Sequence, residues 1–149
     1  MKAVRYAMIG FGGIAENRIA KEGFACDAAR FKPLKQAVLI GATDVNTKRR
    51  RAAQALGLTW YRDTEAVLRD QTIDAVFVAT NNRTHAEIAR QALEAGKAVI
   101  VEKPLASTAR DARSLVALAK KKGLSLSVDH MMVHNVLNRH ARKWIEEGA

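Results

Sequence analysis

The chain has little from which to build cross-links. Its single cysteine, Cys26, has no partner for an internal disulfide, and nothing near it has the spacing of zinc ligands. A reducing, cytoplasmic setting with no metal site is therefore expected. No apolar run approaches the roughly 18 residues that span a bilayer, so no membrane is expected as a partner. The basic and apolar opening is broken by three glycines and followed at once by Glu16, Asn17 and Arg18, which reads against a secretory leader. Aromatic residues make up only 5% of the chain, leaving few rings for stacking on nucleic-acid bases. Small and branched aliphatic residues dominate instead, which suits helices packed on a buried parallel sheet better than an aromatic-rich sandwich.

What is present supports one hydrophobic core. The 149 residues are 48% hydrophobic and 27% charged, within the range of a single folded domain. The net charge of +10 attracts polyanions in principle. Its densest runs, residues 48–51 and 120–122, fall within predicted helices, the second at a C-terminus where cations offset the helix dipole. Solvated helix faces account for this charge, and no nucleic acid is expected as a partner.

Strand and helix signals alternate along the chain. Apolar runs at 4–9, 37–42, 58–61, 74–79, 98–101 and 124–128 read as strands. Between them lie helices predicted over 13–21, from near Asp44 to Gly57, and after Asp63 or Thr64. Thr84 and Glu87 stand at capping-box spacing before a helix that stops at Gly96. Another runs from Ser107 or Thr108 to Lys122, and an amphipathic helix covers about 136–147. Strands separated by helices imply right-handed crossovers, hence an α/β, Rossmann-type, doubly wound parallel sheet with helices on both faces. The irregular stretch 23–36 is expected to be a surface excursion with some helix. No internal repeat or low-complexity linker is found. Residues 1–135 read as the domain, and 136–149 as a helix leading away from it.

Gly10-Phe11-Gly12-Gly13-Ile14-Ala15 matches G-x-G-x-x-A between the first strand and first helix. The first glycine permits the tight turn, the second lets backbone approach a pyrophosphate, and the small last residue lets helix and strand pack closely. The helix N-terminus adds amides and positive potential. Asp44, just past the second strand, can accept hydrogen bonds from both ribose hydroxyls and repel a 2′-phosphate, which favours NAD; alternatively it only caps the next helix. Arg49 and Arg50 lie close enough to meet a 2′-phosphate, so NADP is the alternative cofactor.

Three further runs carry a family resemblance: Thr80-Asn81-Asn82-Arg83-Thr84-His85, Glu94-Ala95-Gly96-Lys97 and Val101-Glu102-Lys103-Pro104-Leu105. Together they resemble the glucose-fructose oxidoreductase, inositol dehydrogenase and rhizopine-catabolism family, over essentially the whole chain. The Thr-Asn-x-x-x-His form is closest to the anhydrofructose-reductase branch. The resemblance implies an NAD(P)-dependent dehydrogenase or reductase acting on a sugar, cyclitol or related polyol or carbonyl. Lys103 would be the catalytic lysine beside nicotinamide and substrate, able to stabilise a developing oxyanion or carry the hydroxyl proton. Thr80, Asn81, Asn82 and His85 would line the nicotinamide side. Glu102 would hold the lysine or the carboxamide, while His85 can alternatively be a helix N-terminal residue bonded to backbone. At the last strand's exit Asp129 would approach the cofactor, and His130 and His134 the substrate. Here the chain departs from the family pattern: Asp129 replaces a frequent asparagine, and Val133 or His134 replaces a common arginine.

The resemblance implies a second α/β domain that supplies most substrate contacts and the homo-oligomer interface, and these 149 residues are expected to lack it. The chain alone is expected to bind cofactor and to turn over substrate poorly or not at all. A noncatalytic dinucleotide-binding sensor or regulatory module is the alternative, since it needs the glycine loop but not Lys103.

Overall fold

The computed structural model describes residues 2–148, apart from the side chain of His134. Six parallel strands, β1 (Val4–Ile9), β2 (Ala37–Thr43), β3 (Thr59–Trp60), β4 (Ala75–Val78), β5 (Ala98–Glu102) and β6 (Leu126–Asp129), form one sheet in the order β3-β2-β1-β4-β5-β6. The order reverses between β1 and β4, which opens a crevice at the strands' C-terminal ends.

Alternation along the strands divides the core between the two sheet faces. Ala7, Ile9, Val76 and Val78 pack with α2 (Thr64–Arg69), α3 (His85–Glu94) and α4 (Ala109–Lys122) through Val67, Ala89, Leu93 and Leu115. Met8 and Phe77 turn the other way, onto Phe11, Ala15, Ile19, Ala20 and Ala53 of α1 (Arg50–Ala55). The sheet is therefore doubly wound, as the alternation of sequence signals predicts.

Local differences have local causes. The helix predicted over 13–21 widens into a π-helix, Ala15–Gly23, continued by the Phe24 amide donating to the Ile19 carbonyl at 2.7 Å. The widened turn buries Ala15, Ile19 and Ala20, and leaves Ile14 and Arg18 exposed. The excursion 23–36 contains a turn closed by Asp27, with the Phe31 amide donating to its carbonyl at 3.0 Å, rather than a helix of its own. No capping box forms at α3, because the Thr84 hydroxyl turns back to Thr80 Oγ1 and the Asn81 carbonyl. Thr108, not Ser107, caps α4 by accepting from the Asp111 amide. At the end of the chain α6 (Val136–Glu146) packs on α5 (Met131–His134) and buries none of its residues.

Lys97, part of the motif that resembles the oxidoreductase family, lies far from the crevice at the start of β5. Only 4% exposed, it donates from Nζ to the Asp70 and Ile73 carbonyls, both at 2.7 Å. Asp70 ends α2, so the ammonium meets the negative end of that helix. The Tyr61 hydroxyl donates to Asp70 Oδ2 at 2.6 Å. That bond, with those from Thr72, holds the Asp70 carboxyl down at about 2, while burial and then Asp70 push Tyr61 up to about 12. Lys97→Met leaves two carbonyls without their donor, a loss of about 2–4 kcal/mol. The expected fall in Tm is roughly 5–15 °C, and a melting temperature equal to the parent's in thermal denaturation would show that the ammonium is dispensable.

Candidate functional site

The chemistry-bearing residues sit where the sheet topology gathers loops. The glycine loop leaves β1, Asp44 follows β2, Thr80 to His85 follow β4, Glu102 and Lys103 close β5, and Asp129 ends β6. All five loops lie at one edge of the sheet, and register pairs Glu102 with Asp129.

The glycines of the loop do different work. Gly10 has φ +90°, and a Cβ there would stand 2.6 Å from the Ala79 carbonyl oxygen. This glycine lets β1 pass close to the end of β4. A Cβ on Gly12 or Gly13 would meet nothing within 4 Å, so the loop's outer side is an open cradle. The Glu16 amide donates to the Gly12 carbonyl as the helix begins. The amides of Gly13, Ile14 and Ala15 precede that bond and have no acceptor within the helix. An anionic group fits this arrangement, with glycine backbone giving it room and the helix end supplying positive potential.

Phe11, the second residue of the glycine motif, faces inward. Its side chain is fully buried in the core, and both its peptide groups are occupied from the β2 side. Asp44 Oδ2 accepts from the Phe11 amide at 2.6 Å, and Arg49 Nε donates to the Phe11 carbonyl at 2.6 Å. Asp44 Oδ1 accepts from the Asn46 amide at 2.7 Å, and Asn46 in turn caps the short 3₁₀ turn Thr47–Arg49. Asp44 thus fastens the glycine loop to β2, while a carboxylate's remaining lone pairs still allow it to accept from ribose hydroxyls. Arg49 is half-buried and ion-paired to Glu16 at 2.7 Å, whereas Arg50 is exposed.

On the other side of the crevice, Asn81 Oδ1 accepts from the Arg83 amide, and the side chains of Asn81 and Asn82 are exposed. His85 is 1% exposed, with Nδ1 2.8 Å from the Pro104 carbonyl and Nε2 3.2 Å from the Thr80 carbonyl. Its ring is engaged with backbone, and its geometry is that of a brace between the loops after β4 and β5. Ser107 Oγ, donating to the Asn82 carbonyl at 3.4 Å, adds a second tie. Between these ties the Lys103–Pro104 bond is cis, Glu102 Oε2 accepts from the Lys103 amide at 3.1 Å, and the Lys103 side chain is exposed. Among the described residues, no hydrogen bond or ion pair engages the Lys103 ammonium.

His130 is exposed in the turn after β6, and the His134 side chain lies outside the described residues. Asp129 borders a cavity of about 410 Å³ along the sheet face, lined also by Tyr6, Phe24, Phe77 and Ile100. That cavity does not include the glycine loop or Lys103, so it and the gathered loops are different places. The convergence of chemistry identifies the site better than concavity does, because an open crevice at strand ends presents a shallow surface. Sequence reasoning missed Glu16, and it read Ser107 only as a capping alternative. Glu16 and its partner Lys21 are five residues apart, a separation that becomes adjacent in a π-helix but not in the α-helix predicted.

Residues 4–130 match the family described as oxidoreductases with an NAD-binding Rossmann fold. The chain is 40% identical over 84 residues to 1,5-anhydro-D-fructose reductase of Ensifer adhaerens, covering 56% of this chain and 25% of that protein. It is 32% identical over 130 residues to D-apiose dehydrogenase of Paraburkholderia graminis, covering 86% of this chain and 32% of that one. The structure superposes on the 3-ketoreductase KijD10 of Actinomadura kijaniata, solved with TDP-benzene and NADP, with a TM-score of 0.85 and 28% identity. That match covers 99% of this chain and 45% of the ketoreductase. The chain therefore spans about a quarter to a third of the length of these two curated relatives.

Proposed function

The chain belongs to the oxidoreductase family with an NAD-binding Rossmann fold, and from that premise we propose that it binds the nicotinamide dinucleotide of an enzyme that transfers hydride between NAD(P) and a sugar, cyclitol or related polyol. The observation that carries the reading is the arrangement of the open glycine cradle and the unengaged Lys103 ammonium on either side of the sheet's reversal. The anhydrofructose reductase and apiose dehydrogenase among the relatives support a carbohydrate substrate.

Gly12, Gly13 and the first amides of the following helix would hold the pyrophosphate, Asp44 the adenosine ribose, and Thr80, Asn81 and Asn82 the nicotinamide side. When bound, the nicotinamide supplies the hydride acceptor or donor. Lys103 would then stand beside the substrate oxygen, its ammonium form stabilising negative charge and giving a proton in reduction, and its neutral amine form taking up the hydroxyl proton in oxidation. Glu102 positions the lysine through its backbone amide, and His85 keeps the two loops in register. Residues 1–135 form the nucleotide-binding unit, with 136–149 leading out of it. On this reading the 149 residues bind nucleotide and turn over substrate poorly or not at all.

Asp44 supports NAD over NADP, because a carboxylate repels a 2′-phosphate, although the Actinomadura ketoreductase holds NADP. Calorimetric titration with NAD⁺, NADH, NADP⁺ and NADPH is the test. The NAD pair is expected to bind more tightly, and Asp44→Ser to narrow the difference by about tenfold, one charged hydrogen bond's worth. Tighter binding of the NADP pair would transfer the adenosine end to the arginines. Failure to bind any of the four would remove the dinucleotide reading.

A further inference from the structure

Arg49 is the half-buried cation at the adenosine end of the crevice, and its guanidinium is committed elsewhere. Nε donates to the Phe11 carbonyl at 2.6 Å, and Nη2 donates to Glu16 Oε2 at 2.7 Å. Glu16 is itself gripped twice, its other oxygen accepting from Lys21 Nζ at 2.7 Å. The Lys21 hydrogen bond, aided by Arg49, holds the Glu16 carboxyl below the usual carboxylate range despite partial burial. Arg49 and Glu16 side chains are only 28% and 18% exposed, so the pair is sheltered from the screening that weakens surface ion pairs. Asp44 grips the amide of the same residue, Phe11, whose carbonyl Arg49 grips. The acid that would meet the ribose and the arginine that would meet a 2′-phosphate are thus drawn onto one residue of the glycine loop.

We infer that Glu16 is a specificity-determining residue, which withholds the Arg49 guanidinium from a 2′-phosphate and so biases the crevice towards the unphosphorylated dinucleotide. The inference rests on the dinucleotide reading above. A 2′-phosphate bound beside Asp44 needs a compensating cation, and a guanidinium presents its donors in a fork that suits phosphate. Delivering Arg49 means breaking its charge-assisted bond to Glu16, a cost that falls only on the phosphorylated ligand. NAD leaves the pair intact. Glu16 acts through Arg49 and touches no ligand, so it is a positioning residue.

The test is calorimetric affinity for NAD⁺ and NADP⁺ in the parent, Glu16→Gln, and Glu16→Gln combined with Arg49→Met. Glu16→Gln is expected to shift the affinity ratio towards NADP⁺ by about tenfold, the factor one charged hydrogen bond provides. The double variant is expected to lose that shift, a dependence on Arg49 that loosening of the helix alone does not produce. Glu16→Asp, one methylene shorter, keeps the helix charge and is expected to move the ratio the same way by about threefold; it decides the matter if Glu16→Gln does not fold. An unchanged ratio in folded variants that bind both nucleotides overturns the inference alone. A shift that survives Arg49→Met also overturns it, assigning the phosphate to another cation such as Arg50. Absence of binding to either nucleotide in the parent removes the dinucleotide reading along with it.

Discussion

Replacing Gly10 with alanine is expected to destabilise the fold by about 3–5 kcal/mol, the sum of positive-φ strain and a backbone clash. The two contributions act at one atom. At φ +90° a side chain is strained wherever it points, and this one points at the Ala79 carbonyl oxygen 2.6 Å away and at Thr80 Cγ2 2.8 Å away. Neither strand can yield easily. Gly10 N–H donates to the Thr43 carbonyl at 2.9 Å and Ala79 N–H to the Ile9 carbonyl at 2.8 Å, which ties the loop to β2 and β4 together. Gly12→Ala and Gly13→Ala meet open space, and their stability is expected to stay within about 1 kcal/mol of the parent. On the proposed reading, both instead weaken nucleotide binding, because their missing Cβ atoms leave room for phosphate. Urea denaturation of the three variants, with nucleotide titration of those that fold, separates the glycine that shapes the sheet from those that face the ligand. Equal stability of Gly10→Ala and the parent would mean that the close approach of β1 and β4 is not enforced.

Periodicity and punctuation carried most of the fold because they report burial, and the sheet of a doubly wound domain is buried on both faces. The strands predicted at 4–9, 37–42 and 98–101 are legible for that reason, each observed to within one residue, as are the stops at Gly57 and Gly96, both with positive φ. The π-helix was not legible, since widening is decided by how Ile19, Ala20 and Phe24 pack under Phe77 and Tyr6, which no local spacing records. The same holds for the candidate site. Motif residues at strand ends could be placed on one edge from the sequence, but the occupants of their hydrogen-bonding groups could not. Phe11 looked like a loop residue and proved a core residue clamped through its peptide groups. Lys97 and Lys103 look alike in the sequence, each closing or opening the same strand. One ammonium is buried on two carbonyls and the other projects from the sheet edge, a difference set by α2 and its C-terminal carbonyls, which lie far away in sequence.

That contrast between the two lysines sharpens the expectation for Lys103. On the proposed reading, Lys103→Met is expected to lower the rate of hydride transfer by about 10²–10⁴, the contribution of a positioned proton donor and acceptor. Methionine keeps most of the side chain's length and apolar surface while removing the charge and its donors. Because the Lys103 ammonium supports no contact among the described residues, its removal is expected to leave thermal stability within about 0.5 kcal/mol. NAD⁺ affinity is expected to change by less than about threefold, since the glycine loop and Asp44 lie across the reversal of the sheet from β5. Lys103→Arg restores positive charge but not a group that readily gives up its proton, and it is expected to recover only part of the loss. The readout is substrate-dependent change in nicotinamide absorbance, with nucleotide titration of the same preparations. Undiminished turnover in Lys103→Met would remove the lysine from the chemistry and favour a nucleotide-binding module without it. Loss of nucleotide binding in parallel with turnover would make Lys103 a cofactor ligand rather than the residue that handles the substrate proton.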